Sequence, residues 1–214
     1  MRIGFIGAGN VAKVMGRHLL NAGHTIAICN SRGPETLGAL IDELGPGATA
    51  ETKDQVVRSD VVINAVRWVQ AEEALRGVDW NGRILIDAMN AHAELEGDTS
   101  LEGVTKSRAV LARAGLTSSE LVAQWAPGAR LVKSISTMPM EWITDFSADK
   151  PRTVLFTSGD DAEAKYVVID MLNDAGFAAI DLGSLAVGGA MHQVGAPLSG
   201  LDLHFIRRLR PEAR

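Results

Sequence analysis

The sequence predicts an α/β fold: a doubly wound, mostly parallel sheet of about eight strands with helices on both faces. Three observations predict it. Short apolar runs without polar alternation, typical of strands buried on both faces, recur along the chain. Helical patterns separate these runs, which favours a parallel sheet with right-handed crossovers. Glycine provides 22 of the 214 residues, and the excess over the usual content lies at turns.

Composition restricts the partners of this domain. With 21 basic and 26 acidic side chains, the formal charge of −5 gives no global positive field for nucleic acid or an anionic membrane surface. No run approaches the roughly 18 consecutive apolar residues of a membrane span. Cys29, the single cysteine, can form no internal disulfide, and the five histidines lack the paired spacing of metal ligands. We therefore expect a cytoplasmic protein that binds neither nucleic acid, membrane nor metal.

Strands and helices alternate in the first half of the chain. Strands are predicted at Arg2–Ile6, Thr25–Cys29, Ala48–Ala50, Asp60–Val66 and Arg83–Asp87, and helices at Asn10–Ala22, Pro34–Leu44, Thr52–Arg58 and Trp68–Arg76. Gly23 ends the first helix, and Gly45 begins the turn that closes the second. Pro34 is compatible with the first turn of a helix.

The pattern is interrupted over residues 90–116, where charged and small residues predominate. We expect a long irregular surface segment there, either a candidate lid or a variable insertion. Capping-box spacing at Thr117 and at Asp160 then predicts helices that continue to Ala126 and Gly176. Further strands are predicted at Arg130–Ile135, Arg152–Thr157 and Phe177–Asp181. The apolar stretch Ala186–Ile206 would be exposed in a monomer, so we expect a homodimer.

The first chemical signal is a glycine-rich turn between the first strand and the first helix. Gly7, Ala8, Gly9, Asn10, Val11 and Ala12 match the G-x-G-x-x-A fingerprint of a Rossmann-type dinucleotide-binding unit. Gly7 permits the tight turn, Gly9 lets a pyrophosphate approach the backbone, and Ala12 keeps the helix close to the sheet. The first amides of the helix then face an anion. We therefore predict that residues 7–11 bind a dinucleotide.

The end of the second strand indicates which dinucleotide is bound. A site that prefers NAD places Asp or Glu there to accept from the ribose hydroxyls, whereas this chain has Asn30, Ser31 and Arg32. The Arg32 guanidinium can hold a 2′-phosphate in a bidentate contact, and Ser31 can add a hydrogen bond. These three residues predict NADP(H). The alternative is that Arg32 is an ordinary solvated turn residue.

The carboxyl ends of the later strands predict the rest of the site, because ligands of open α/β sheets bind there. These ends are Ala65–Trp68, Asp87–Asn90 and Ser134–Met140. We assign to the cofactor Ala65, Val66, Arg67, Asn90 and Met140. Asn90 can bind a carboxamide or a ribose, or it can be a plain turn residue. Trp68 can pack a planar ring, or it can belong to the core.

Over most of its length the chain resembles the coenzyme F420-dependent NADP oxidoreductases, small Rossmann reductases that exchange hydride between NADP(H) and a deazaflavin. Besides the glycine fingerprint, the resemblance is carried by Asn30–Arg32, Val66–Trp68, Lys133–Pro139, Gly159–Lys165 and Asp181–Leu185. It implies that the deazaflavin lies over the nicotinamide, lined by the strand end at 136–140 and by the segment after Gly183. We accordingly assign to the acceptor Trp68, Ser136, Thr137, Met138 and Pro139. Two positions depart from the family pattern: Ser136 replaces a histidine of some members, and Arg67 replaces the usual proline.

Hydride transfer between two rings chiefly requires that they lie roughly 3 to 3.5 Å apart, so we expect no catalytic side chain. We predict one domain over residues 1–214, an NADPH-dependent oxidoreductase that passes hydride to F420 or to a flavin such as FMN or FAD. Its part from about residue 130 should extend the sheet and shape the acceptor site. An imine or ketone reductase would need a proton donor, for which Lys133 and His192 are candidates. A third possibility is an NADP(H)-binding sensor or partner module without a soluble substrate.

Overall fold

The computed structural model describes residues 1–91, 101–145, 147 and 150–207. Its strands are β1 (Arg2–Ile6), β2 (Thr25–Cys29), β3 (Ala48–Ala50), β4 (Val61–Asn64), β5 (Ile84–Asp87), β6 (Arg130–Lys133), β7 (Arg152–Gly159), β8 (Ala178–Asp181) and β9 (His204–Phe205). Its α-helices are α1 (Asn10–Asn21), α2 (Gly38–Leu44), α3 (Lys53–Val56), α4 (Trp68–Leu75), α5 (Leu101–Ala114), α6 (Ser118–Trp125), α7 (Ala162–Asp174) and α8 (Gly188–His192). Two 3₁₀ turns cover Pro34–Leu37 and Met140–Ile143.

The strands form one mixed sheet in the order β3-β2-β1-β4-β5-β6-β7-β8, with β9 paired to the start of β7. Strands β1 to β6 are parallel, β7 is antiparallel to β6, and β8 is parallel to β7. The predicted doubly wound α/β fold is thereby confirmed. The chain order reverses at β1, which has β2 on one side and β4 on the other, and this reversal opens a crevice at the carboxyl ends of the strands.

Register places five strand-end residues in one row at this carboxyl edge. Ile6 pairs with Cys29 on one side and with Asn64 on the other, Asn64 pairs with Asp87, and Asp87 pairs with Lys133. All five are buried. The loops that leave this row are therefore brought together, although their positions in the chain are more than 100 residues apart.

Alternate residues of the central strands pack on opposite faces of the sheet. Phe5 and Ile63 lie in the cluster that includes Met15 of α1, whereas Val62 lies in the cluster with Leu75 of α4. Each strand therefore buries both of its faces, which is the reason that its sequence is apolar without alternation.

The prediction of an irregular segment over residues 90–116 is wrong for residues 101–114, which form α5. The helix contains an i,i+4 ion pair between Glu102 and Lys106, 2.9 Å apart, and it buries Leu111. Gly103 lies inside the helix and Gly115 follows its end with φ +64°, so only the second of these glycines is a helix terminator. The lid predicted for this segment falls partly on residues 92–100, outside the described residues.

The other boundaries differ by small amounts. The helix predicted at 34–44 is a 3₁₀ turn followed by α2. The helix before β8 is capped by Asp161 and not by Asp160, since the Asp161 side chain accepts from the Ala164 amide at 2.8 Å.

The apolar stretch 186–206 contains α8 and β9, and five of its large apolar side chains are exposed: Val187, Met191, Leu201, Leu203 and Ile206. The homodimer stays a prediction. Among the described residues, no helix has the length and apolar character needed to cross a membrane.

Candidate functional site

Two clefts lie side by side at the carboxyl edge of the sheet and share Gly9, Ala65, Val66 and Arg67. The first, here called the β2 cleft, has a volume of about 510 Å³. It is lined by the glycine turn, by the segment 29–32 after β2, and by parts of α3 and α4. The second, the β6 cleft, has a volume of about 400 Å³ and is lined by the start of α1 and by the segments after β5 and β6. A dinucleotide that crosses the shared residues would place one half in each cleft.

The two glycines of the turn, Gly7 and Gly9, are required for different physical reasons. Gly7 has φ +108°, and a Cβ there would lie 2.6 Å from the carbonyl oxygen of Ala65. Its amide donates to the Cys29 carbonyl at 3.0 Å, which holds β1 and β2 together at the turn. Gly9 has ordinary φ, and its Cβ position meets nothing within 4 Å. Gly7 is thus required by packing, whereas Gly9 leaves open space before the first amides of α1.

Ala8, Asn10 and Val11 are distributed over both clefts. Ala8 lines the β2 cleft, whereas Asn10 and Val11 begin α1 and line the β6 cleft. The Asn10 side-chain amide lies 3.5 Å from the Glu141 carboxylate on the opposite wall. The N-terminus of the twelve-residue helix α1 therefore faces the junction of the two clefts with its unpaired amides.

The segment after β2 presents its polar side chains to the β2 cleft. Asn30 is held within the turn, since its Oδ1 accepts from the Arg32 amide at 2.9 Å and its Nδ2 donates to Thr36 Oγ1 at 2.9 Å. Ser31 and Arg32 are exposed. Neither side chain has a hydrogen bond or ion pair with the described part of the chain. The turn therefore holds a guanidinium and a hydroxyl at the mouth of the cleft without using them internally.

Several residues of the β2 cleft were not predicted from the sequence: Cys29, Lys53, Gln70 and Glu73. Lys53 opens α3 and donates to the Ala74 carbonyl at 3.2 Å, so it adds a cation near the predicted phosphate position. Burial raises the pKa of the Cys29 thiol to about 11, so this thiol is uncharged at neutral pH. The only sequence signal for Lys53 is its place at the start of a helix after a strand of the same sheet.

The β6 cleft brings together residues from the ends of β5 and β6. Asn90 Nδ2 donates to the Ser136 carbonyl at 2.8 Å and so joins the two segments. Met138 and Met140 are buried in the wall, and Pro139 is exposed at its edge. Ile135, which was not predicted, has φ +61°, a rare conformation for a β-branched residue. This backbone turn directs the chain after β6 across the cleft.

Two residues assigned to the acceptor do not line either cleft. Trp68 packs its ring against Trp125 of α6, with centroids 5.1 Å apart. Thr137 is buried, and its carbonyl accepts from the Gly200 amide at 2.7 Å. Glu141 is instead the one carboxylate of the β6 cleft lining.

The two candidate proton donors are fully buried. Lys133 Nζ donates to the Met89 carbonyl at 3.1 Å and lies 3.6 Å from Asp87. His192 shares a hydrogen bond of 2.9 Å with Ser158. Burial, together with the Lys133 cation, lowers the pKa of His192 to about 3, so this imidazole is neutral at physiological pH. Neither side chain is exposed to a substrate. No group of three or more His, Cys, Asp or Glu side chains in the described ranges is arranged to hold a metal ion.

A Rossmann sheet whose glycine turn opens on a cleft at the switch point is the arrangement of dinucleotide-binding proteins, a class that includes the NAD(P)-dependent oxidoreductases. In agreement, the model of the family described as NADP oxidoreductase, coenzyme F420-dependent, matches residues 2–91. The match covers β1 to β5 and the helices between these strands.

Similar proteins extend the likeness beyond the matched segment. A hypothetical protein from Sinorhizobium meliloti is 31% identical, with 96% of each chain covered and a TM-score of 0.82. A protein from Arthrobacter sp. FB24 assigned as an F420-dependent NADP reductase shares the fold, with 23% identity, 86% of each chain covered and a TM-score of 0.62. The metalloreductase STEAP3 of Rattus norvegicus is 25% identical over 187 residues, which are 86% of this chain. The chain spans about a third (34%) of the length of that curated relative.

Proposed function

We propose that this protein is an NADPH-dependent oxidoreductase that transfers hydride between NADP(H) and a deazaflavin or flavin ring. The observation that carries the proposal is the division of the site at Gly9, Ala65, Val66 and Arg67. The adenosine half would lie in the β2 cleft with its 2′-phosphate at Ser31 and Arg32. The nicotinamide would lie in the β6 cleft, beside the wall that includes the buried side chains of Met138 and Met140.

The chemistry needs little from the protein. NADPH bound in the two clefts would supply a hydride with its electron pair to the acceptor ring and become NADP⁺, and the open cleft would let solvent supply the accompanying proton to a ring nitrogen of the acceptor. What the protein supplies is the contact of the two rings in a near-attack geometry. Because Lys133 and His192 are buried, the β6 cleft has neither of the proton donors on which a ketone or imine reductase would depend.

An acceptor panel tests the proposed reaction. Wild-type protein should oxidise NADPH when F420, FMN or FAD is added, and stopped-flow absorbance at the dihydronicotinamide band measures the rate. A ferric chelate belongs in the panel because of the similarity to a metalloreductase. Glu141→Gln should retain the rate, since the reaction uses no side-chain acid. Binding of NADPH without turnover of any acceptor would contradict the proposal and indicate a sensor or partner module.

Replacement of Arg32 by alanine tests the nucleotide preference. We expect NADPH affinity to fall about ten- to a hundredfold, the loss of roughly 1.5 to 3 kcal/mol for one charge-assisted phosphate contact. NADH affinity should change by less than about twofold. Isothermal titration calorimetry with both nucleotides measures the difference, and Arg32→Lys, which keeps the charge without the planar fork, should give an intermediate loss. Equal losses for NADPH and NADH would assign Arg32 to a structural role.

A further inference from the structure

A buried ion pair adjoins the wall of the β6 cleft. Asp87 ends β5, Lys133 ends β6, and the two residues are paired in the parallel ladder. Lys133 Nζ lies 3.6 Å from Asp87 Oδ2, and both side chains are fully buried. A buried pair of this kind is retained in a fold only when further hydrogen bonds satisfy both charges.

Each charged side chain makes one of these hydrogen bonds to the same residue, Met89. The Asp87 carboxylate accepts from the Met89 amide at 3.0 Å through Oδ1, and from Ser119 Oγ at 2.6 Å through Oδ2. Lys133 donates to the Met89 carbonyl at 3.1 Å. The anion thus holds the N–H of Met89, and the cation holds its C=O. The Met89 side chain is held as well, since its sulfur lies 3.2 Å from Asn64 Nδ2.

Met89 belongs to the wall that Ala88 and Asn90 complete on the β5 side of the β6 cleft. We propose that Asp87 and Lys133 are positioning residues, which fix the Met89 backbone so that this wall holds the nicotinamide ring in place for hydride transfer. The proposal rests on the proposed function. It assigns the two charged side chains a role in geometry, since neither reaches the cleft and neither can exchange a proton with a substrate.

The test uses a double variant, because removal of Lys133 alone leaves an uncompensated buried carboxylate and endangers the fold. Asp87→Asn with Lys133→Met removes both charges. It keeps an acceptor for the Met89 amide but deprives the Met89 carbonyl of its donor. Two ligands are compared by calorimetry: NADPH, and adenosine 2′,5′-bisphosphate, which carries the adenosine and the 2′-phosphate without a nicotinamide.

In the double variant the affinity for adenosine 2′,5′-bisphosphate should stay within about twofold of wild type, which also shows that the β2 cleft is folded. The ratio of NADPH affinity to bisphosphate affinity should fall about tenfold. With an acceptor that wild type reduces, the rate should fall roughly ten- to a hundredfold. An unchanged affinity ratio in the double variant would overturn the positioning role.

A matched control is provided by a second Lys–Asp pair outside both clefts. Lys165 lies 3.0 Å from Asp181 and, like Lys133, donates to a backbone carbonyl, that of Gly183 at 3.3 Å. Asp181→Asn with Lys165→Met should leave both affinities unchanged. The two hypotheses fail differently: absence of NADPH binding by wild type would refute the proposed function and the positioning role together, whereas normal wild-type binding with an unchanged ratio refutes only the second.

Discussion

Replacement of Gly7 by alanine should lower the free energy of unfolding by roughly 2 to 5 kcal/mol and remove measurable dinucleotide binding. Two costs add at this position. The φ of +108° is unfavourable for any residue with a side chain, and the new methyl would lie 2.6 Å from the Ala65 carbonyl oxygen, a backbone atom that cannot rotate away. Urea denaturation followed by circular dichroism measures the change. A loss below about 1 kcal/mol would show that the turn relaxes, and would contradict the account of Gly7.

Gly9→Ala is the matched control for this experiment. It adds the same methyl to the same turn, but its Cβ position meets nothing within 4 Å and its φ is −91°. The free energy of unfolding should therefore change by less than about 1 kcal/mol. NADPH affinity should nevertheless fall at least about tenfold, because the methyl occupies the space through which a pyrophosphate reaches the amides of α1. Equal stability losses in the two variants would contradict the distinction between packing and ligand space.

The strands of the sheet could be predicted because their sequence reports burial on both faces. Val61–Ile63 and Ile84–Ile86 are apolar without alternation, and both strands are buried at every position, including their last residues Asn64 and Asp87. Helix α5 could not be predicted by the same reasoning, since Gly103 lies within it and charged residues interrupt its apolar pattern. Its stabilising features are an ion pair one turn apart and the burial of Leu111 against other elements, and only the first of these can be inferred from local sequence.

The residues of the candidate site also differ in whether local sequence can predict them. The glycine turn and the Asn30–Arg32 turn are local motifs, so the sequence is sufficient to find them. Lys53 enters the β2 cleft because α3 packs against β1 and β2, and Glu141 enters the β6 cleft because the 3₁₀ turn after β6 packs against α1, more than 100 residues earlier in the chain. The Asp87–Lys133 pair depends on the register of β5 with β6, 46 residues further along the chain. Sequence reasoning could name both residues at strand ends, but their pairing follows from tertiary structure.

Stability should fall in acid more steeply for the wild-type protein than for a His192→Gln variant. Burial against the sheet, and secondarily the Lys133 cation, which itself pairs with Asp87, lowers the pKa of His192 to about 3 in the folded state. The unfolded chain has a histidine pKa of about 6.5. Between these values the unfolded state binds one more proton than the folded state. The contribution of His192 is therefore fully present above about pH 6.5 and is lost as the pH falls toward 3.

The size of this effect follows from the two pKa values. The free energy of unfolding should decrease by about 1.4 kcal/mol per pH unit through this one group, roughly 3 to 5 kcal/mol between pH 7 and pH 3. Glutamine can still hydrogen-bond to Ser158 but does not titrate, so the wild-type and variant curves should run parallel above pH 7 and converge below pH 6. His18 and His24, whose pKa values burial also lowers, contribute equally to both curves. Urea denaturation at several pH values between 4 and 8 measures the difference in slope, and parallel curves throughout would show that His192 accepts its proton without unfolding the cluster around Lys133.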